Sequence, residues 1–219
     1  MCNCSVQDVH DYGPCGEDCD SVTRGDDMLT KYLNTPGDGQ SVIFDLDGCI
    51  ADCSHRLHLL EGKPDWDAFF AGAGADLPIV HNLLLLHMFW KKGFTIILMT
   101  GRPERIRSDT DQWLTTLGPS VIGYDMLLMR ADGDYRADHA VKCEMVRMLK
   151  EKGYNLILAF DDRAGCVDMF IEEGVPCLQV RAPDKMEMVK KYERVVEYIS
   201  GEGTEPGTRV VEGTPPEAA

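Results

Sequence analysis

Short apolar runs separated by stretches of helical spacing organise the middle of the chain. Ser41-Val42-Ile43-Phe44 is β-branched and aromatic and reads as a buried strand. Phe94-Thr95-Ile96-Ile97-Leu98-Met99-Thr100 is a second such run, and others cover 125–130, 156–161 and 176–180. Between them lie helix-like stretches at 78–92, 103–117, 138–152, 164–174 and 184–200. Lys91-Lys92-Gly93 puts basic residues and a glycine where a helix should end, and Lys150-Glu151-Lys152-Gly153 repeats that signature. Strands alternating with helices of roughly 10–15 residues predict an α/β fold with a parallel sheet flanked by helices.

In such sheets ligands bind beyond the carboxyl ends of the strands. The sequence can be checked against that rule. The first strand runs into Asp45-Leu46-Asp47-Gly48-Cys49, the second into Gly101-Arg102, and the fourth into Asp161-Asp162-Arg163. Three strand ends carry chemistry-capable residues while the strand bodies are apolar.

Composition then narrows the picture. The chain has 219 residues, enough for one domain with one sizeable core. Residues 1–40 lack sustained periodicity and are rich in Gly, Asp and Cys, so a poorly structured extension is expected there. Residues 41–200 form the expected folded domain, and 201–219, rich in Gly, Pro, Glu and Thr, a disordered tail. No internal repeat is visible. The formal net charge of −15 repels polynucleotides and anionic membranes at long range. No run approaches the roughly 20 apolar residues of a membrane span. The start of the chain lacks the basic and apolar regions of a secretory signal, so none is expected. Of the nine cysteines, Cys143, Cys166 and Cys177 lie inside helix or strand patterns with no paired spacing, so free thiols in a reducing cytosol are expected, giving a cytoplasmic protein.

The chemistry centres on Asp45 and Asp47. Strand side chains at i and i+2 point the same way, so both carboxylates are expected to face one point, with Gly48 allowing a sharp turn beside them. Like charges that close repel unless a cation lies between them or one takes up a proton. Both solutions suit phosphoryl transfer, with one Asp as nucleophile, one as proton shuttle and Mg²⁺ as counter-charge. Adjacent Asp161 and Asp162 would also be costly without a cation, and Mg²⁺ takes carboxylates together with waters and phosphate oxygens. The expected metal set is therefore Asp45, Asp47, Asp161 and Asp162. Thr100 can hold a phosphate oxygen or cap the next helix, and Arg102 can clamp a phosphate or make a surface ion pair. Lys142, four residues after Asp138, is either one half of a solvated i,i+4 pair or a cation beside the nucleophile and the phosphate.

The order Asp45-x-Asp47, Thr100, Lys142, Asp161-Asp162 resembles the four-motif signature of haloacid-dehalogenase-like phosphatases over roughly residues 41–182. Within that superfamily it looks most like the 3′-phosphatase half of phage-type polynucleotide kinase, whose pattern Arg56, Gly101-Arg102, Asp138 and Asp161-Asp162-Arg163 also match. Cys49 stands where the family usually has Thr, and Thr100 where these relatives often have Ser. The sequence has no Gly-x-x-x-x-Gly-Lys-Ser/Thr loop, so a phosphatase without a kinase half is expected. The resemblance implies a Rossmann-like three-layer sandwich and catalysis by Asp45, Asp47, Thr100 and Lys142. Asp45 would form an aspartyl-phosphate and Asp47 would move the proton. Arg56, Gly101, Arg102 and Asp138 would serve the substrate.

The intervals between motifs are too short for a full cap domain. Residues 55–77 can form a short helical lid with Trp66, Phe69 and Phe70 as its apolar face, either as core or as a base-stacking platform. An open site favours a phosphorylated nucleotide or nucleic-acid end as the partner. A mononucleotide (5′-nucleotidase-like) or small-metabolite phosphatase is the alternative, and a non-catalytic binding protein a third. The sequence leaves the oligomeric state open. Cys2, Cys4, His10, Cys15 and Cys19 offer zinc-binding groups without the usual spacing. His55 and His58 are possible ligands or packing residues, and Cys49 and Cys53 are possible redox-sensitive thiols whose default is inert.

Overall fold

The computed structural model describes residues 39–118 and 122–181. The expected helix at 184–200, the expected tail and the cysteine-rich first residues lie outside them.

Five parallel strands form the central sheet: β1 (Gln40–Phe44), β4 (Thr95–Pro103), β5 (Met126–Arg130), β6 (Asn155–Asp161) and β7 (Cys177–Gln179), in the order β5-β4-β1-β6-β7. The runs are continuously apolar because both faces of the sheet are covered. Val42, Phe44, Ile96 and Leu98 point to one face, where they meet Leu83, Leu86, Trp113 and Leu114. Ile43, Ile97 and Met99 point to the other, where they meet Val146, Leu149, Met169 and Phe170. Helices α2 (Val80–Lys91) and α3 (Arg107–Thr116) thus cover one face, and α4 (Asp138–Glu151) and α5 (Ala164–Glu172) the other. This is the expected three-layer α/β sandwich. Phe44 and Phe160, neighbours on β1 and β6, stack with ring centroids 4.5 Å apart. That contact ties together the two strands that deliver the central acids.

From β1 the chain leaves toward β4 on one side, and it later returns to β6 on the other. The carboxyl ends of β1 and β6 are therefore the switch point of the sheet, where a crevice opens.

Two element boundaries differ from expectation. β4 runs on to Pro103, and a 3₁₀ turn over Glu104–Ile106 precedes α3, so the helix starts at Arg107 rather than 103. The residue before a proline is disfavoured in the helical region, which keeps Arg102 extended. Likewise α2 begins at Val80 and not 78, because Pro78 pairs with Ala51. That pairing joins two-residue strands, β2 (Ala51–Asp52) and β3 (Leu77–Pro78), into a small antiparallel ribbon. The ribbon brackets the lid: a 3₁₀ helix over Ser54–Leu60, the short helix α1 (Trp66–Ala71) and a 3₁₀ turn over Ala73–Ala75. Asp65 caps α1 by accepting from the Ala68 N–H. No full cap domain is present among the described residues. No described helix is long and apolar enough to cross a membrane.

Candidate active site

The strand ends set two charged clusters side by side. Asp45 follows β1 directly, with its N–H donating to the Phe160 carbonyl at 3.0 Å, so it is fixed by the sheet. The chain then folds into a tight loop in which the Leu46 carbonyl accepts from Cys49, Ile50 and Ala51. Gly48 sits at φ +85°, and a Cβ there would lie 2.3 Å from Asp162 Oδ2. Glycine is required both for the turn and for the approach of that carboxylate.

This loop corrects the expectation for Asp45 and Asp47. The strand has ended at Phe44, so the i,i+2 rule no longer governs them. Asp45 turns toward α4 and β6, and Asp47 turns the other way, toward the lid and β4.

On the first side, Lys142 of α4 is fully buried. Its Nζ lies 2.8 Å from Asp45 Oδ1, 2.7 Å from Asp161 Oδ2 and 3.2 Å from Asp138 Oδ2. Burial would lower the pKa of this ammonium, but Asp45, Asp161 and Asp138 outweigh it and raise the pKa well above its ordinary value. The reading of Lys142 as a solvated surface pair is therefore excluded. One lysine does not balance the acids. Burial pushes the Asp45 carboxyl well up. Lys142 opposes this, but Asp161, Asp138 and Asp162 add to the rise. Burial, followed by the charge of Asp161, pushes the Asp162 carboxyl up to about 6. Asp138 escapes the trend: burial raises it, but Lys142, Arg163 and Arg130 prevail and hold it low.

Oxygen atoms of Asp45, Asp161 and Asp162 lie within 4.8 Å of one another. Asp162 Oδ1 is buried with no hydrogen-bond partner. An orphaned carboxylate oxygen beside two more acids fits a hard divalent cation with oxygen ligands. Three of the four residues expected to hold metal thus come together. The fourth, Asp47, does not, because its carboxylate is committed elsewhere.

On the second side, Asp47 and Asp76 are bound between two arginines. Arg56 Nη2 donates to Asp47 Oδ1 at 2.5 Å and to Asp76 Oδ2 at 2.6 Å. Arg102 Nη2 donates to the same two atoms at 2.6 and 2.7 Å, and Arg102 Nε reaches both Asp47 oxygens at 3.1 Å. Arg56 also packs over the Phe69 ring at 4.0 Å and donates to the Phe69 carbonyl. Burial would raise the Asp47 pKa, but Arg102 and Arg56 outweigh it and hold the group below its ordinary value.

Arg56 and Arg102, expected to contact substrate, are 1 % and 0 % exposed. Their donors meet protein carboxylates because the cluster pairs two acids with two guanidiniums and is balanced without a ligand. Thr100 is also fully buried, and its Oγ1 accepts from the Arg102 N–H at 3.2 Å. Gly101 lines the cleft, and a Cβ there would come within 2.4 Å of Asp138 Oδ1.

Sequence reasoning missed Asp76. It lies in a small-residue stretch, Ala73-Gly74-Ala75-Asp76, with no motif around it. Besides the donors of both arginines, its carboxylate accepts from His55 Nε2 at 2.9 Å, and its carbonyl accepts from Trp113 Nε1 at 2.8 Å. That contact gives His55 a packing role. His58 lies on the same 3₁₀ helix and is exposed. Cys49 is fully buried, and burial pushes its thiol well up; burial also pushes the Cys53 thiol up to about 12. Both are therefore poor thiolates at neutral pH.

Asp45 and Asp47 share one cleft of about 640 Å³. Leu57, Leu60, Trp66 and Phe70 of the lid line part of it, and the loop 131–137 lines another part. Phe69 is buried behind Arg56, whereas Trp66 is half-exposed.

The pattern of the polynucleotide kinase PNKP phosphatase domain matches residues 39–184. Among solved structures, a chain in the structure of the Pnkp1/Rnl/Hen1 RNA repair complex is 33% identical over 67% of this chain and 43% of its own, with a TM-score of 0.54. A chain of a second Pnkp1/Rnl/Hen1 complex is 32% identical over 69% of this chain and 48% of its own, with a TM-score of 0.52. The present chain thus spans less than half the length of those two. The class C acid phosphatase from Bacillus anthracis with tungstate bound is 15% identical over 84% of this chain and 86% of its own, with a TM-score of 0.50. At that identity the likeness shows the fold.

Proposed function

The chain belongs to the polynucleotide kinase PNKP phosphatase-domain family and is a phosphatase of the haloacid-dehalogenase-like class, and from that premise we propose that it removes the phosphate from nucleotide or nucleic-acid 3′ ends through an aspartyl-phosphate, with Mg²⁺ as its metal. The observation that carries the reading is the division of labour between two acids that open onto one cleft. Asp45 stands among the cation-seeking acids. Asp47 stands between two arginines.

Asp45 is the nucleophile. It is held rigidly by the sheet, and Lys142 screens it from Asp138 and Asp161. Attack forms the bond from Asp45 to phosphorus and breaks the bond to the sugar oxygen, which must gain a proton. Asp47 is the group placed to give that proton and then to accept one from the water that hydrolyses the intermediate. In the free protein Asp47 is a carboxylate, ready to act as the base. To act as the acid it has to pick up a proton. An incoming phosphate raises its pKa by adding negative charge nearby. These two arginines are positioning residues, and Asp76 positions them in turn.

Asp45, Asp161 and Asp162 are the side chains that would hold Mg²⁺, which neutralises charge on the phosphoryl oxygens when bound. Lys142 and the Gly101 backbone supply further positive or donor groups at that end, and Thr100 steadies the strand end behind them. Asp138 fixes Lys142 and also meets Arg130 and Arg163.

A mononucleotide or small-metabolite phosphatase is the second reading, favoured by the net charge of −15, which works against binding a long polyanion. The deciding experiment is phosphate release from a 3′-phosphorylated oligonucleotide, 3′- and 5′-mononucleotides and sugar phosphates, with and without Mg²⁺. Preference for the 3′-phosphate ends is expected. Asp45→Asn should lower turnover by at least about 10⁴-fold while the circular dichroism spectrum and melting curve persist. Turnover retained in that variant would eliminate the covalent route, and a preference for sugar phosphates would eliminate the nucleic-acid substrate.

A further inference from the structure

Tyr135 is 92 % exposed, the most exposed of the large apolar or aromatic side chains described. It lines the same cleft as Asp45 and Asp47. Its position is built and held. A single guanidinium, Arg130, donates from Nη1 to the carbonyls of the residues on either side of it, Asp134 at 3.2 Å and Arg136 at 2.7 Å. The Arg136 N–H closes the turn by donating to Asp134 Oδ1 at 3.0 Å. The same Arg130 reaches Gly101 and Asp138 beside the reacting centre, at 2.9 and 3.1 Å. A braced turn thus holds an aromatic ring in water at the mouth of the site. From the lid, Trp66 offers a second half-exposed ring to the same cleft, steadied by Phe69 and Phe70.

Electrostatics leaves little else to grip a nucleic-acid end. Of the cleft arginines, Arg105 is paired with Asp67 at 2.7 Å, Arg136 with Asp134 and Glu144, and Arg130 with Asp138. Arg163 is exposed and meets Asp138 at 3.8 Å. With most of these charges offset, the described residues carry no continuous basic track for the backbone. A cleft of about 640 Å³ falls in the size range of small-ligand pockets, about 300–1,000 Å³, and accommodates a terminal nucleotide.

We propose that Tyr135 and Trp66 form a nucleobase-stacking site for the terminal nucleotide whose phosphate meets Asp45, so that the enzyme recognises the base at the end and not the length of backbone behind it. The proposal rests on the nucleic-acid-end reading given above. Stacking on a π face tolerates any base and is insensitive to salt, unlike phosphate tracking.

The test compares two oligonucleotides with the same 3′-phosphate, one ending in an ordinary nucleotide and one in an abasic sugar. The proteins are the wild type, Tyr135→Ala, Tyr135→Phe and Trp66→Ala, each measured across a salt series. Wild type is expected to favour the base-bearing end. Tyr135→Ala should cut that preference about tenfold, mostly through KM, and Tyr135→Phe should keep it, since the ring remains. Trp66→Ala should also reduce it. KM should change little with salt. An equal rate on both ends in the wild type, or an unchanged preference in Tyr135→Ala, would overturn the proposal. If the wild type hydrolysed sugar phosphates and neither oligonucleotide, the substrate reading would fail in the unsubstituted protein, and this proposal with it.

Discussion

Asp45 and Asp47 are two residues apart in sequence and live in opposite electrostatic company. Around Asp45, the buried Lys142 is shared by Asp45, Asp138 and Asp161, Asp138 alone has further cations in Arg130 and Arg163, and one oxygen of Asp162 is left with no partner. Around Asp47, two acids meet two arginines, and every donor that points inward finds an acceptor. The first cluster is short of positive charge and the second is balanced. An unbalanced buried cluster is strained unless something enters it. A balanced one is complete, and costs several kcal/mol only when one partner is taken away. On the proposed mechanism the first region receives a cation and a phosphate, and the second holds a proton-transfer group in place. Perturbing each should give a different signature.

Among changes to the residues that surround the two acids, the largest effect is expected from Lys142→Met. It removes the one ammonium from Asp45, Asp138 and Asp161. Turnover should fall about 10³-fold. The metal-free protein should lose about 3 kcal/mol of stability, because buried carboxylates lose their counter-charge. Mg²⁺ should return part of the stability and little of the activity. Urea unfolding with and without Mg²⁺, alongside phosphate release, measures both. Turnover within tenfold of wild type would remove Lys142 from the site chemistry.

Asp76→Asn tests the balanced side. It keeps the shape and removes one charge that holds both guanidiniums. A loss of about 1–3 kcal/mol is expected, as for a hydrogen bond to a charged group, with turnover down about tenfold and KM changed less. Mg²⁺ should leave this stability loss unrepaired, unlike that of Lys142→Met. Equal rescue of the two variants by Mg²⁺ would mean that the clusters are one unit, and the distinction would collapse.

The unequal visibility of these clusters in the sequence has a physical origin. β1, β4 and β6 were legible because strands covered on both faces are written as unbroken apolar runs. Acids at the ends of such runs stand out by contrast, so Asp45, Asp161 and Asp162 could be named from the sequence, and the sheet's switch point brings them together. Lys142 was named with two readings, and only its burial decides between them. The arginine side was harder. An arginine in a sequence does not say whether its donors meet a phosphate or a carboxylate, and only the family resemblance pointed Arg56 and Arg102 at the substrate. Asp76 carries no local signal, since its partners come from 20 and 26 residues away. The ribbon of β2 and β3 is two residues per strand, too short for any periodicity to register. Tyr135 sits in a polar loop, where nothing in the sequence distinguishes an aromatic that packs from one held in water.

The smallest expected effect separates the clusters by the sign of their response to pH. In the metal-free protein the Asp162 carboxyl lies at about 6, above the ordinary 3.8. The folded state therefore binds that proton more tightly than the unfolded chain does. Its contribution is complete below about pH 4 and is lost as the pH rises through about 6. Asp45, also raised, adds to the same slope. Asp47 is depressed, so its contribution is present above its ordinary pKa and is lost only as the pH falls below that value. Between about pH 4.5 and 7 the acid-rich cluster should then dominate. Stability of the chelated protein should decline by an amount on the order of 2 kcal/mol, after allowance for solvent screening of Asp162. Saturating Mg²⁺ should flatten that decline, because the cation replaces the proton, and Asp162→Asn should reduce it without metal. Urea midpoints at several pH values, with chelator and with Mg²⁺, give the slopes directly. A chelated protein whose stability is flat or rises across this window would show that the acids around Asp45 are not short of positive charge, and the contrast between the two clusters would lose its basis.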